Sequence, residues 1–496
     1  MMRLSPGKWM LTLWLILFGG LVSACQPAPT AQSTEIAPSR TLPPPAQTRT
    51  LPTQTATPAA SLTPTQPSSL LEVPASDLRG LTITFWHSAA GESEALLQDF
   101  ATEFNQVNTW GITVQPVGHA GLGMLDEQVR LALEENRLPG LIAAYTDQAL
   151  LWEVNGAELA DLTPYVSDPV WGLSQSDQQD FYPIFWAHDL VRRSTNGSKL
   201  TTLRLGVPWY RSALVLIYNR TWAEELGFRT YPDTPAQFRR QVCAAAQANR
   251  SDQDAQNDGT GGWLVKNDPL LLLGWIQAFG GELEGEDGTG LTFYTPAAEE
   301  AVQYLANLIT NGCAWSADDE TPPEAFANRR TLGWIGSLAN LSIQENALEQ
   351  ANNNDEWVVL PLPSTTGSQN IVAYGPALMV PKSDPAHELG AWLFVRWLLS
   401  AEKQAVWAEL NGVFPVRSGA LQQVRLNAGQ AAQWEQALVW LPKARSEPAT
   451  PSWRAVRGLM SDALEQILLP GFQENQAASL LKKLDQISGE IEANLR

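Results

Sequence analysis

Histidine and cysteine are scarce: four His, at 87, 119, 188 and 387, and three Cys in 496 residues. No H-E-x-x-H pair and no Cys/His spacing suited to zinc occurs, so a zinc enzyme is not expected. A P-loop is missing, and Ser337 in "GWIGSLAN" lacks the G-x-S-x-G frame of a nucleophile elbow. "GHAGLGMLD" offers Gly121 and Gly123 but breaks the dinucleotide fingerprint and reads as a loop before a helix. "DQDAQNDGTGGW" sets Asp254, Gln256, Asp258 and Gly259 in EF-hand order, yet Val265 stands where the bidentate carboxylate belongs, so it reads as a solvated acidic turn. No metal and no cofactor are expected. Basic residues are outnumbered, 32 Lys and Arg against 52 Asp and Glu, for a net charge of −20. Such a surface repels nucleic acid and anionic lipid and favours a neutral or cationic small ligand.

One apolar run is present, Met10 to Ala24, behind Arg3 and Lys8. It is shorter than the roughly 20 residues that span a bilayer comfortably, so it reads as a secretory signal. Leu21-Val22-Ser23-Ala24-Cys25 resembles the bacterial lipobox, in which the cysteine thiol takes lipid and becomes the mature N-terminus. Residues 1–24 are thus expected to be a lipoprotein signal peptide and Cys25 the anchor. Residues 26–76 hold 11 Pro and 10 Thr with no aromatic residue, too little apolar surface to offset chain entropy. The stretch 25–77 is expected to be a disordered tether on the extracytoplasmic face of the cell membrane. In that oxidising compartment Cys243 and Cys313 are expected to form a disulfide, the alternative being two separate buried thiols.

From about residue 78 the composition turns globular, and 78–496 is long enough for two domains or one bilobal one. "LTITFW" alternates like a strand, and "ESEALLQDFATEFNQVN" puts Leu96, Leu97, Phe100, Phe104 and Val107 on one helical face. "ITVQPV", a helix over about 122–136, and the apolar "LIAAYT" continue a strand, helix, strand, helix, strand order, which implies a mostly parallel α/β layer. "LGVPWY", "ALVLIYN", "TLGWIGS" and "YGPALMVP" read as further strands. "TPAQFRRQVCAAAQA" and "TPAAEEAVQYLANLITNG" read as helices with Pro near their starts, and the last third is mainly helical.

In order along this region stand "LTITFWHSAAGE", "LIAAYTDQALLWEVNGAELADLTPY", "GVPWYRSALVLIYNRTW", "GWIQAFGGEL", "RRTLGWIGSLANL", "YGPALMVPKS", "AWLFVRWLLSAEKQAVWAELNGVFPVR" and "PSWRAVRGLMSDAL". With these the chain resembles the family 1 extracellular solute-binding proteins of ABC importers, the maltose-binding-like type. The resemblance implies a two-lobe, periplasmic-binding-protein-like (type II) α/β fold with a hinge, its chain crossing between lobes near 200–215, near 325–340 and again in the C-terminal part. It implies a monomer that closes on a small-molecule ligand, foremost a sugar, and hands it to a membrane permease, with no catalysis.

Segment by segment it implies ligand contacts from His87 and Ser88, from Thr146 and Asp147, and from Trp209, Tyr210, Arg211 and Ser212. Trp334 and Ser337, Tyr374, Trp275 and Trp453 follow, Trp453 matching a position where maltose binders place a stacking aromatic. Asp147 is suited to accept sugar hydroxyls. Ala89 and Ala90 stand where maltose binders carry charged contacts, which points away from maltodextrin. Polyamine, glycerophosphodiester and peptide binders share the scaffold. A secreted glycoside hydrolase, whose two carboxylates the 52 acids would supply, and an adhesin on a stalk are the other readings.

Overall fold

The computed structural model describes residues 68–195, 199–285, 290–367, 369–426 and 428–495. The expected signal, Cys25 and the tether up to residue 67 lie outside the described residues. Among the described residues no helix is long and apolar enough to cross a membrane.

The alternating and apolar runs form two sheets. The first has the order Thr113–Gly118, Thr82–His87, Leu141–Ala144, Ala377–Met379, Val207–Pro208. Its first three strands are parallel, joined by the helices Glu92–Val107 and Gly121–Glu134 as the sequence pattern requires. Helix Glu92–Val107 buries Leu97, Phe100, Ala101 and Phe104 at helical spacing. Val107, expected on that face, is instead exposed at the helix end.

The second sheet is built around Tyr210–Asn219, which pairs antiparallel with Thr331–Ser337, Trp357–Leu360 and Ile371–Tyr374. Gly261–Leu264 and Ala444–Ser446 extend it through parallel pairing. Both faces of Tyr210–Asn219 are covered: Ala213, Val215 and Ile217 enter one core, Leu214, Leu216 and Tyr218 the other. Double burial explains why "ALVLIYN" is an unbroken apolar run. Helices Pro385–Leu398 and Ala401–Asn411 join the first core, while Trp453–Leu468 and Ala477–Asn494 join the second.

The chain passes from the first sheet to the second at 208–210 and returns at 374–377. Near 325–340, where a further crossing is expected, side chains enter both cores, Phe326 and Trp334 the first and Leu332 the second. Thr331–Ser337 stays in the second sheet, held by its ladder to Tyr210–Asn219 from Gly333 opposite Tyr218 to Ser337 opposite Leu214. The two passages lie side by side, Ser212 opposite Tyr374, and the Trp209 N–H donates to the Pro376 carbonyl at 3.1 Å. Gly375 (φ +154°) allows that approach, since a Cβ there would stand 2.4 Å from the Tyr210 carbonyl oxygen.

Order begins before residue 78. The Ser69 hydroxyl and the Leu70 and Leu71 N–H groups all donate to Asp168 Oδ2, at 2.8, 2.7 and 3.3 Å, and Leu71 and Val73 pack on the first core. The last ten residues of the expected tether therefore belong to the folded unit, because they carry the apolar side chains that the Pro/Thr stretch lacks. Cys243 and Cys313 form a disulfide with Cα atoms 4.3 Å apart across a sequence separation of 70. A loop of that length constrains the unfolded chain by about 4 kcal/mol in the entropy model.

Candidate functional site

Tyr210 opens the strand that leaves the crossing, and Tyr374 closes the strand that enters it, so two phenols meet where the sheets join. Tyr145 follows the strand Leu141–Ala144 and ends the first sheet beside them. The three rings influence one another electrostatically, and burial pushes the hydroxyl of Tyr210 up to about 12 and those of Tyr145 and Tyr374 above the usual tyrosine range. The hydroxyls of Ser212 and Ser337 beside Tyr374 pull its value down without overcoming burial.

Around the phenols stand charges carried by elements of both sheets. Asp147 occupies the first turn of helix Thr146–Val154, 3% exposed. Glu447, also 3% exposed, lies in the loop before helix Trp453–Leu468, which contributes Arg454 and Arg457 from its first turns. Asp268 caps helix Pro269–Ala278 by accepting from the Leu270 N–H at 2.8 Å. Glu447 Oε2 accepts from the Trp453 indole N–H at 2.7 Å and from Arg457 at 3.2 Å. Its Oε1 and Asp147 Oδ2 are buried without a hydrogen-bond donor. Arg454 Nε lies 3.7 Å from Asp147 and 3.8 Å from Asp126, and Nε and one terminal nitrogen lack acceptors. The junction of the sheets thus brings together three phenols, two carboxylate oxygens that accept no hydrogen bond and an under-used guanidinium, the donor and acceptor set of a polar-ligand site.

The structure separates the expected contacts into groups. Asp147, Tyr210 and Tyr374 line this cleft, with Ser212 and Ser337 next to Tyr374. The Thr146 hydroxyl donates to Asp189 Oδ1 at 2.8 Å. Arg211 is not a free contact: 1% exposed, it donates to Asp189 Oδ2 at 2.9 Å and to the Pro376 carbonyl at 2.7 Å, which ties the crossing to the start of the Asp147 helix. The four expected tryptophans, Trp209, Trp275, Trp334 and Trp453, are all buried in the cores. Trp275 lies among Phe238, Trp263 and Tyr304. Trp334 donates to Gln344 at 2.8 Å. Trp209 packs on Trp407 with ring centroids 4.4 Å apart, and Trp453 is 0% exposed behind Glu447. Large aromatic area favours burial, and each of these rings found a core to fill. His87 stands apart, buried against Phe85 with His119 as a neighbour, and Ser88 is half-buried beside it.

Tyr145, Glu447, Arg454, Arg457 and Asp268 were not singled out from the sequence. Tyr145 sits two residues before Asp147, and both arginines stand in "PSWRAVR", at one and four residues past Trp453. That helical spacing was the available signal. Glu447, in an irregular loop, gives none.

Two groups carry opposite pH dependence. Desolvation lowers His87 to about 4, so below its ordinary 6.5 the unfolded chain takes a proton that the folded one refuses, and stability falls on acidification. Burial, then the charge of Glu447, raises Asp147 from 3.8 to about 7, so its contribution falls as pH rises through that range. Each amounts to on the order of 2 kcal/mol between pH 5 and 7, with opposite sign. Relative to wild type, Asp147→Asn is therefore expected to make stability rise more from pH 5 to 7, and His87→Gln to make it rise less or fall, in urea unfolding at each pH. Matching slopes in the two variants reject the assignment.

Residues 98–437 match the family model for bacterial extracellular solute-binding proteins. A protein of Brucella abortus described as a binding protein is 23% identical over 267 residues, 53% of this chain, and the match spans 62% of that relative's length. The cyclic α-maltosyl-1,6-maltose binding protein of Arthrobacter globiformis has a similar fold, with TM-score 0.65 and 16% identity over 84% of this chain and 99% of its own. The sugar-binding protein MalE of Xanthomonas citri aligns with TM-score 0.68 and 20% identity over 83% and 98%. These two likenesses concern the fold. The family match covers well over half of the sequence, and the chain belongs to the bacterial extracellular solute-binding proteins.

Proposed function

We propose that this protein is the lipid-anchored receptor of an ABC importer, capturing a sugar or oligosaccharide between its two sheets and delivering it to a permease. The observation that carries the reading is the group of side chains where the sheets join: buried acceptors on Asp147 and Glu447, buried donors on Arg454, and the phenols of Tyr145, Tyr210 and Tyr374 near one another. A polyhydroxyl compound offers donors and acceptors together with apolar C–H faces, so it satisfies all three. Two structures of the same fold are described as sugar binders, which supports the same ligand class. The cleft takes no part in catalysis. A thermal-shift screen of the mature chain over sugars, polyols, polyamines and peptides is expected to show stabilisation by a sugar, because ligand that binds only the folded state raises its stability by mass action. Stabilisation by peptides alone, or hydrolysis of a chromogenic glycoside panel, would overturn the reading.

The tether belongs to the same proposal. A flexible stretch of this length averages about 40 Å end to end and reaches further when extended, enough to present a closed receptor to a transporter. Cys25→Ser is expected to move the protein from the detergent phase to the aqueous phase in a phase-partition experiment. Equal partitioning of variant and wild type removes Cys25 as the anchor.

A further inference from the structure

The cleft charges do not balance. Four carboxylates, Asp126, Asp147, Asp268 and Glu447, share one electrostatic neighbourhood with two guanidiniums, Arg454 and Arg457. Two of the acids are looked after locally. Asp126 accepts from Gln148 at 2.7 Å and Trp152 at 3.1 Å, and Asp268 caps its helix. Asp147 and Glu447, each nine-tenths or more buried, face the two guanidiniums, with Arg454 Nε 3.7 Å from Asp147 and Arg457 3.2 Å from Glu447, yet each keeps an oxygen that accepts no hydrogen bond.

Other cations near the cleft are engaged elsewhere. Arg211 is held by Asp189, and Arg445 pairs with Glu282. His188 lies between Asp189 and the Glu447 carbonyl, its Nδ1 3.7 Å from the former and its Nε2 3.2 Å from the latter. A buried carboxylate oxygen without a hydrogen-bond donor is costly, and either a proton or a positive ligand relieves it. Burial and the charge of Glu447 both raise the Asp147 carboxyl, which agrees with its donor-free oxygen. Three phenols in the same neighbourhood as these carboxylates favour an organic cation over a hydrated metal ion, since aromatic rings attract ammonium groups.

We infer that the solute carried by this cleft bears a protonated amine, seated between Asp147 and Glu447 against the faces of Tyr145, Tyr210 and Tyr374. The inference rests on the receptor reading above and narrows its sugar class to amino-bearing polyols. Arg454 is left to meet the hydroxyls at the other side.

Calorimetric titration of the mature chain with matched pairs tests it: glucose against glucosamine, galactose against galactosamine, cellobiose against fully deacetylated chitobiose, with putrescine and choline as non-sugar ammonium probes. The amino member of a pair is expected to bind at least about tenfold more tightly than the neutral one. Asp147→Asn and Glu447→Gln are each expected to collapse that preference to less than about threefold, while both variants keep a cooperative unfolding transition. A neutral sugar binding as tightly as its amino counterpart overturns the inference and leaves the sugar receptor standing. Putrescine or choline binding in an Asp147- and Glu447-dependent way, with no sugar of either kind bound, upholds the cation site and overturns the sugar reading. No binding by any ammonium probe overturns the inference as well.

Discussion

Arg211→Ala is expected to cost about 3–5 kcal/mol of stability, the penalty for stripping one partner from a buried ion pair. The reason is the position of its partner. Asp189 is fully buried, and its two oxygens are divided between the Arg211 guanidinium and the Thr146 hydroxyl. Without Arg211 the carboxylate keeps one neutral donor and the weak approach of His188. The same side chain also donates to the carbonyls of Tyr210 and Pro376, one on each passage between the sheets, so the variant loosens the crossing itself. Urea unfolding measures the loss, and the double variant Arg211→Met with Asp189→Leu separates the causes. Apolar replacement of both charges should recover most of the stability, because no uncompensated charge remains. An Arg211→Ala midpoint equal to that of wild type would contradict the assignment of this residue to the scaffold.

Trp453→Ala should cost about the same, 3–5 kcal/mol, as a large cavity opens in the second core. Trp453 is fully buried among Val456, Met460 and the residues of that core, so its first contribution is packing and not a platform for ligand. A second contribution is positioning, because its indole N–H holds Glu447 Oε2. Trp453→Phe keeps most of the volume and removes only that donor. It is expected to lose about 1–3 kcal/mol of stability, the cost of freeing a buried acceptor, and to weaken ligand binding through a misplaced Glu447. Wild-type affinity in Trp453→Phe would show that the indole does not orient the carboxylate. Wild-type stability in Trp453→Ala would show that the ring is not core.

The sequence by itself determined the elements and their order. Strand periodicity in "LTITFW", helical spacing in Glu92–Val107 and the Pro and Thr starts of the two helices near the cysteines are local signals, and local signals survive in one dimension. The resemblance named Asp147, Tyr210 and Tyr374 among the ligand contacts, and the structure brings these three into one neighbourhood. Only the tertiary structure decided which of the expected contacts are free. Arg211 is spent on a carboxylate 22 residues earlier in the chain, and Trp275, Trp334, Trp209 and Trp453 are taken up by packing partners distant in sequence. The charge excess was equally hidden, because Glu447 is one acid among many in the sequence. Whether its oxygen has a donor depends on which groups from both cores surround it. Burial and hydrogen-bond saturation are properties of that surrounding shell, not of the residue, and a shell assembled from Tyr145, Asp268, Glu447 and Arg457 has no linear pattern to read.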